Sequence, residues 1–105
     1  MGRRVYNKLV RDRIPDIIAF NGGAAVTRVL NDEEFAESLK EKLVEEAREF
    51  LASGAVEELA DVFQVILAIL EERGVSLDEL EEMRRRKAVE RGGFQERLFL
   101  TYVDE

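Results

Sequence analysis

Cysteine and histidine are both absent from this chain of 105 residues, and proline occurs once. Without cysteine there is no disulfide framework and no thiolate to serve as nucleophile or metal ligand. Without histidine, the commonest acid–base group near neutral pH and the commonest transition-metal ligand are both missing. Serine–histidine and cysteine–histidine catalysis are therefore excluded. No apolar run reaches the roughly 20 residues that a bilayer-spanning helix needs. The opening Met1-Gly2-Arg3-Arg4 is not followed by the apolar stretch of a secretory signal. The expectation is a soluble, cytoplasmic protein with no membrane partner. A formal net charge of -7 would repel a phosphate backbone and argues against a nucleic-acid polymer as partner.

What is present is 46% hydrophobic and 37% charged, a globular composition unusually rich in charge. The length predicts a single domain over 1–105. A chain this short buries only about two thirds of its unfolded surface, so association of subunits would add stability.

Helical signals dominate. Pro15 suits the first turn of a short helix that Gly22-Gly23 would stop. Asn31 with Glu34 three positions later reads as a capping box, flanked by a Leu30–Phe35 staple. Phe35, Leu39, Leu43, Ala47, Phe50 and Leu51 then form one apolar stripe at helical spacing, until Ser53-Gly54 breaks it. A second long helix is expected from about Ala55 to Arg73. Between Leu59 and Leu70 only Asp61 and Gln64 are polar, and a helix apolar all round needs cover on every side. That predicts a homo-oligomer, with a central helix of a monomeric bundle as the alternative. The third long helix opens on a second capping-box pattern, Ser76-Leu77-Asp78-Glu79, and ends at Gly92-Gly93. Val26 to Leu30 and Phe94 to Val103 are rich in residues that favour strands and are expected to form at most a minor β-hairpin beside an all-α, antiparallel helical bundle.

Four acids stand out: Glu46 and Glu49 on the first long helix, Glu58 and Asp61 on the second. Each pair is spaced i, i+3, which puts both side chains on one helix face. A short turn between the helices makes them antiparallel neighbours and sets the two pairs side by side. Converging anions repel unless something neutralises them. With neither imidazole nor thiolate available, an all-oxygen site suits a hard cation, Mg²⁺ first and Mn²⁺ second. A di-iron site of the ferritin type would need Glu-x-x-His pairs that this chain cannot supply. Most other acids, Glu45 and Glu57 among them, read as solvated surface. Asp61 does not, because it interrupts an apolar run; an ion pair with an arginine is the alternative to a metal there.

Arg84, Lys87 and Arg91 continue the face of the third helix that begins at Leu80 and fall within about 60° of one another. Such a stripe can bind phosphate oxygens or merely complement the negative end of its own helix. Lys42, one turn before Glu46, either bridges to that carboxylate or reaches a substrate phosphate.

The segment Lys42-Leu43-Val44-Glu45-Glu46-Ala47-Arg48-Glu49 carries an E-E-x-x-E motif, and Glu58-Leu59-Ala60-Asp61 carries E-x-x-D. Together they resemble the MazG-like, all-α nucleotide pyrophosphohydrolase superfamily, which includes the phosphoribosyl-ATP pyrophosphohydrolases. Lys8-Leu9-Val10-Arg11-Asp12-Arg13-Ile14-Pro15 and Lys87 to Phe94 look like a compact, single-domain branch of it. The resemblance implies a homo-dimer or homo-tetramer, Mg²⁺ held by Glu46, Glu49, Glu58 and Asp61, and phosphates met by Lys42 and the Lys87/Arg91 segment. It implies hydrolysis of a nucleotide between its α and β phosphates; for that reaction Glu46 or Glu49 is expected to orient or deprotonate the attacking water. Phosphoribosyl-ATP hydrolysis and a non-catalytic helical interaction module are the alternatives. Glu45 points about 100° away from Glu46, and Lys8 to Asp12 has no role that spacing explains.

Overall fold

Local signals set four helices in the computed structural model of the chain, which describes residues 2–105: α1 (Ile14–Phe20), α2 (Asp32–Ser53), α3 (Glu57–Arg73) and α4 (Leu77–Arg91). Pro15 lies in the first turn of α1, where its missing N–H is not needed. The α2 capping box is complete: the Glu34 N–H donates to Asn31 Oδ1 at 2.9 Å, and the Asn31 N–H donates to Glu34 Oε1 at 3.2 Å. Arg28 adds a two-pronged bond to the same Glu34 carboxylate, at 3.2 and 3.0 Å. At α4 only half of the expected box forms. Ser76 Oγ accepts from the Glu79 N–H at 3.1 Å, while the Glu79 side chain makes no bond back.

Helix α2 ends on Gly54, whose φ of 67° is left-handed and sends its N–H back to Phe50 O at 2.7 Å. Three residues later α3 begins, so the two helices return against each other as an antiparallel hairpin. This is the principal packing in the chain; no other pair of helices forms a comparable face. Leu39 of α2 and Val65 of α3 are its only buried apolar side chains among the described residues. Phe35, Leu43 and Phe50 are half-buried along the predicted stripe, while Ala47 is exposed and Leu51, at 84% exposure, falls outside it.

Much apolar surface is left uncovered. Leu59 and Phe63 of α3 are 45% and 48% exposed, and Phe94 and Phe99 are 95% and 91% exposed. The chain presents 9930 Å² to solvent; a compact monomer of 12.0 kDa presents about 6,000 Å². Its radius of gyration of 18.4 Å exceeds the about 13 Å of a compact chain of this length.

The expected β-hairpin is absent: no strand forms among the described residues. Val26 and Val29 are 99% and 97% exposed, as is most of the tail, so neither segment has a surface to pack on. Strand propensity without a packed face does not hold a two-stranded ribbon in water.

The Arg28 bond and the Asn31 N–H hold the Glu34 carboxyl below the usual carboxylate range. A depressed native value means that the contribution is complete above the unfolded value, roughly pH 4.3, and is lost as pH falls through the folded one. Denaturant melts of Glu34→Gln and wild type should therefore differ at pH 7 and converge under acid conditions. Asn31→Ala should lower stability by about 1 kcal/mol at either pH.

Candidate functional site

The antiparallel return of α3 along α2 decides which acids meet. Glu46 lies on the α2 face that also carries Leu39, and it is the one buried polar side chain among the described residues, 8% exposed. Glu58 and Asp61, one turn apart in the first half of α3, face it half-buried. One oxygen from each of the three lies within 4.8 Å of the other two. Spacing and a short turn predicted this convergence, and Glu46, Glu58 and Asp61 carry it. Glu49 stands on the exposed side of the group, outside the close trio.

The electrostatics follow from the crowding. Burial pushes the Glu46 carboxyl above its ordinary value, and Glu49 pushes it further, against the pull of Lys42. Loss of hydration, then Asp61 and Glu46, raise the Glu58 carboxyl in the same direction. These are the signatures of acids held together despite their charge.

Three cations answer them. Lys42 Nζ bridges Glu45 Oε2 at 2.6 Å and Glu46 Oε1 at 3.4 Å. Lys8 Nζ reaches Glu45 Oε1 at 2.8 Å, and Arg11 Nη2 reaches Asp61 Oδ1 at 2.6 Å. Glu45 is therefore not the solvated surface acid its position implies. Burial opposes its charge, yet Lys42 and Lys8 together hold its carboxyl below the usual range. Lys8 in turn is raised, chiefly by its bond to Glu45.

Lys8 and Arg11 are the residues that sequence reasoning missed. They lie 37 and 50 positions from their partners, in a segment with no helical period. The usable signal was the interrupted apolar run at Asp61, for which an arginine partner was one of the two readings. Arg11 is that partner, and the pair is open to solvent: the two side chains are 54% and 38% exposed.

The α4 stripe is not brought to the acids within one chain. Arg84 is engaged by its own helix, its Nη2 meeting Glu81 Oε1 at 2.6 Å. Among the described residues neither Lys87 nor Arg91 forms an ion pair. Two shallow clefts occur elsewhere. One, of about 320 Å³, is lined by Glu82, Arg85, Arg86, Val89 and Glu90. The other, of about 480 Å³, lies between Asp32, Phe35, Ala68, Glu71 and Glu72. Neither includes a member of the acid group.

No protein-family model matches this chain, and no solved structure matches it. An uncharacterized protein of Mycolicibacterium smegmatis (strain ATCC 700084 / mc(2)155) is 46% identical over 46 residues, which cover 44% of this chain and 47% of that protein. The matched stretch thus spans about half the length of that relative.

Because like charges press on Glu58, neutralising it should not harm the fold. Glu58→Gln is expected to unfold in chelator-treated buffer at the wild-type denaturant midpoint or above it. A clear loss would show that the carboxylate is needed for packing.

Proposed function

We propose that this chain is a divalent-ion-dependent hydrolase that splits a nucleotide between its α and β phosphates, releasing a nucleoside monophosphate and pyrophosphate. The observation that carries the reading is the meeting of Glu46, Glu58 and Asp61 oxygens within 4.8 Å of one another. A hard ion bonded at about 2.1 Å spans oxygen pairs of up to about 4.2 Å. Only one pair of a trio can stand opposite across such an ion; the other pairs must draw in to about 3.0 Å, and the all-oxygen donor set suits Mg²⁺ first and Mn²⁺ second. Glu46, Glu58 and Asp61 would hold the ion, which when bound supplies positive charge against the phosphate oxygens. Glu49 adds a fourth carboxylate from the exposed side.

The residues divide the remaining work by position. A water attacks the α phosphorus in line with the bridging oxygen; its oxygen–phosphorus bond forms as the bond to the β-phosphate oxygen breaks. Its proton passes to Glu49 or Glu46, the carboxylates of α2 on this face. Lys42, held between Glu45 and Glu46, fixes the α2 acids and contributes charge towards the phosphates. Pyrophosphate departs with the bridging oxygen. The resemblance of the two acidic motifs to the MazG-like superfamily supports this reaction class over a passive helical module.

A second copy of the chain belongs to the same proposal, as a homo-dimer or homo-tetramer. The surface exceeds that of a compact monomer by roughly 4,000 Å², whereas a standard interface covers about 800 Å² per partner. The exposed side of α3 and the apolar tail supply that surface, and a neighbouring α4 offers a route for Arg84, Lys87 and Arg91 to reach substrate phosphates. Sedimentation at micromolar concentration should give a dimer or tetramer; a monomer of 12.0 kDa would remove this part of the proposal.

The activity test is release of pyrophosphate from a panel of nucleoside triphosphates and phosphoribosyl-ATP, with Mg²⁺ or Mn²⁺, against a protein-free blank. Asp61→Asn should lower the rate by at least about 100-fold with the helical content unchanged. Turnover at the wild-type rate in that variant, or no turnover of any substrate by wild type, would remove the assignment.

A further inference from the structure

Arg11 supplies the positive charge that meets the α3 side of the acid trio. Its guanidinium touches Asp61, whose side chain is 38% exposed, at 2.6 Å. A divalent ion among the same oxygens would place a second positive charge beside that guanidinium. Two cations drawing on one carboxylate weaken each other's hold, and the effect is reciprocal. The Arg11 carbonyl accepts from the Ile14 N–H at 3.0 Å, which anchors its backbone at the start of α1, while its side chain is 54% exposed and free to turn about that anchor. Lys8 keeps the segment beside the acids through Glu45 at 2.8 Å, and its ammonium also lies over the Tyr6 ring at 5.7 Å. A released guanidinium would therefore stay next to the ion. Its planar fork of donors matches two oxygens of a phosphate.

We propose that Arg11 exchanges partners: it neutralises Asp61 in the ion-free protein and becomes a phosphate-positioning residue once a divalent ion takes that carboxylate. This rests on the hydrolase reading, and it assigns a task to a segment that the reading leaves unused. An ion pair this open to solvent contributes little to stability, so giving it up costs the fold little.

The test uses the full chain and two probes, Mn²⁺ alone and a preformed Mg²⁺–pyrophosphate complex, each titrated by calorimetry. In Arg11→Gln the competitor is gone, so Mn²⁺ should bind about tenfold more tightly, while the pyrophosphate complex should bind about tenfold more weakly. Arg11→Lys keeps the charge and loses the fork; it should leave Mn²⁺ affinity near the wild-type value and still weaken the pyrophosphate complex. This second variant also carries the test if Arg11→Gln does not fold, which circular dichroism reports. Opposite shifts for the two probes support the exchange. Equal weakening of both, or no change in either, makes Arg11 a structural pair and overturns it. Wild type that binds no Mn²⁺ instead removes the hydrolase reading itself. Wild type that binds Mn²⁺ but not the pyrophosphate complex overturns the phosphate role alone.

Discussion

The packing of α2 against α3 forces acids from both helices into one place, and the chain must then manage the repulsion that results. Glu46 is nearly sealed from solvent, with Glu58 and Asp61 opposite it. A buried carboxylate is costly unless charge of the other sign or hydrogen-bond donors stand close by, or it takes up a proton. Lys42 supplies part of that charge from within α2, and the N-terminal segment supplies the rest through Lys8 and Arg11. The segment before α1 has no helical structure of its own and is tied down by its ion pairs to the hairpin.

Such a cluster separates stability from function. Packing asks for fewer charges here, since two of the acids have carboxyls raised above their ordinary values. A binding role for a hard cation asks for all of them. Proteins accept this kind of local cost where a site is at work, and an acid group that survives inside the main packing face of a small chain fits that pattern. The apolar surface argues in the same direction at larger scale. Among the described residues Leu39 and Val65 are the buried apolar side chains, and the remaining apolar side of α3 is partly open, a surface of the kind that proteins use for contacts with other molecules.

Legibility in the sequence tracks how local each interaction is. The Asn31–Glu34 box, the Pro15 start and the Gly54 stop are decided within a few residues, and the structure places them as read. The convergence of Glu46 with Glu58 and Asp61 is nearly as local, because a turn of three residues leaves the returning helix little choice of direction. Lys8 and Arg11 were opaque for the opposite reason: no periodicity links a helix-free segment to partners 37 and 50 positions away. The minor hairpin failed on a related point. Val26, Val29 and the tail have the residue types of strands, but those types form sheets only where a neighbouring face receives them. The α4 stripe kept its predicted spacing, yet its cations face their own helix's acids or solvent, since spacing fixes a face and not the element packed against it.

The brevity of the α2–α3 turn also has a kinetic consequence. Contacts between helices joined by three residues close early, because little chain entropy is lost in bringing them together. Contacts from residues 8 and 11 require much longer loops and close later. On that order the acids would come together before Lys8 and Arg11 reach them, a stage in which the repulsion within the hairpin is only partly offset. Dissolved cations can screen that stage, so the rate at which this chain folds becomes sensitive to ionic strength, even where the finished structure is less so.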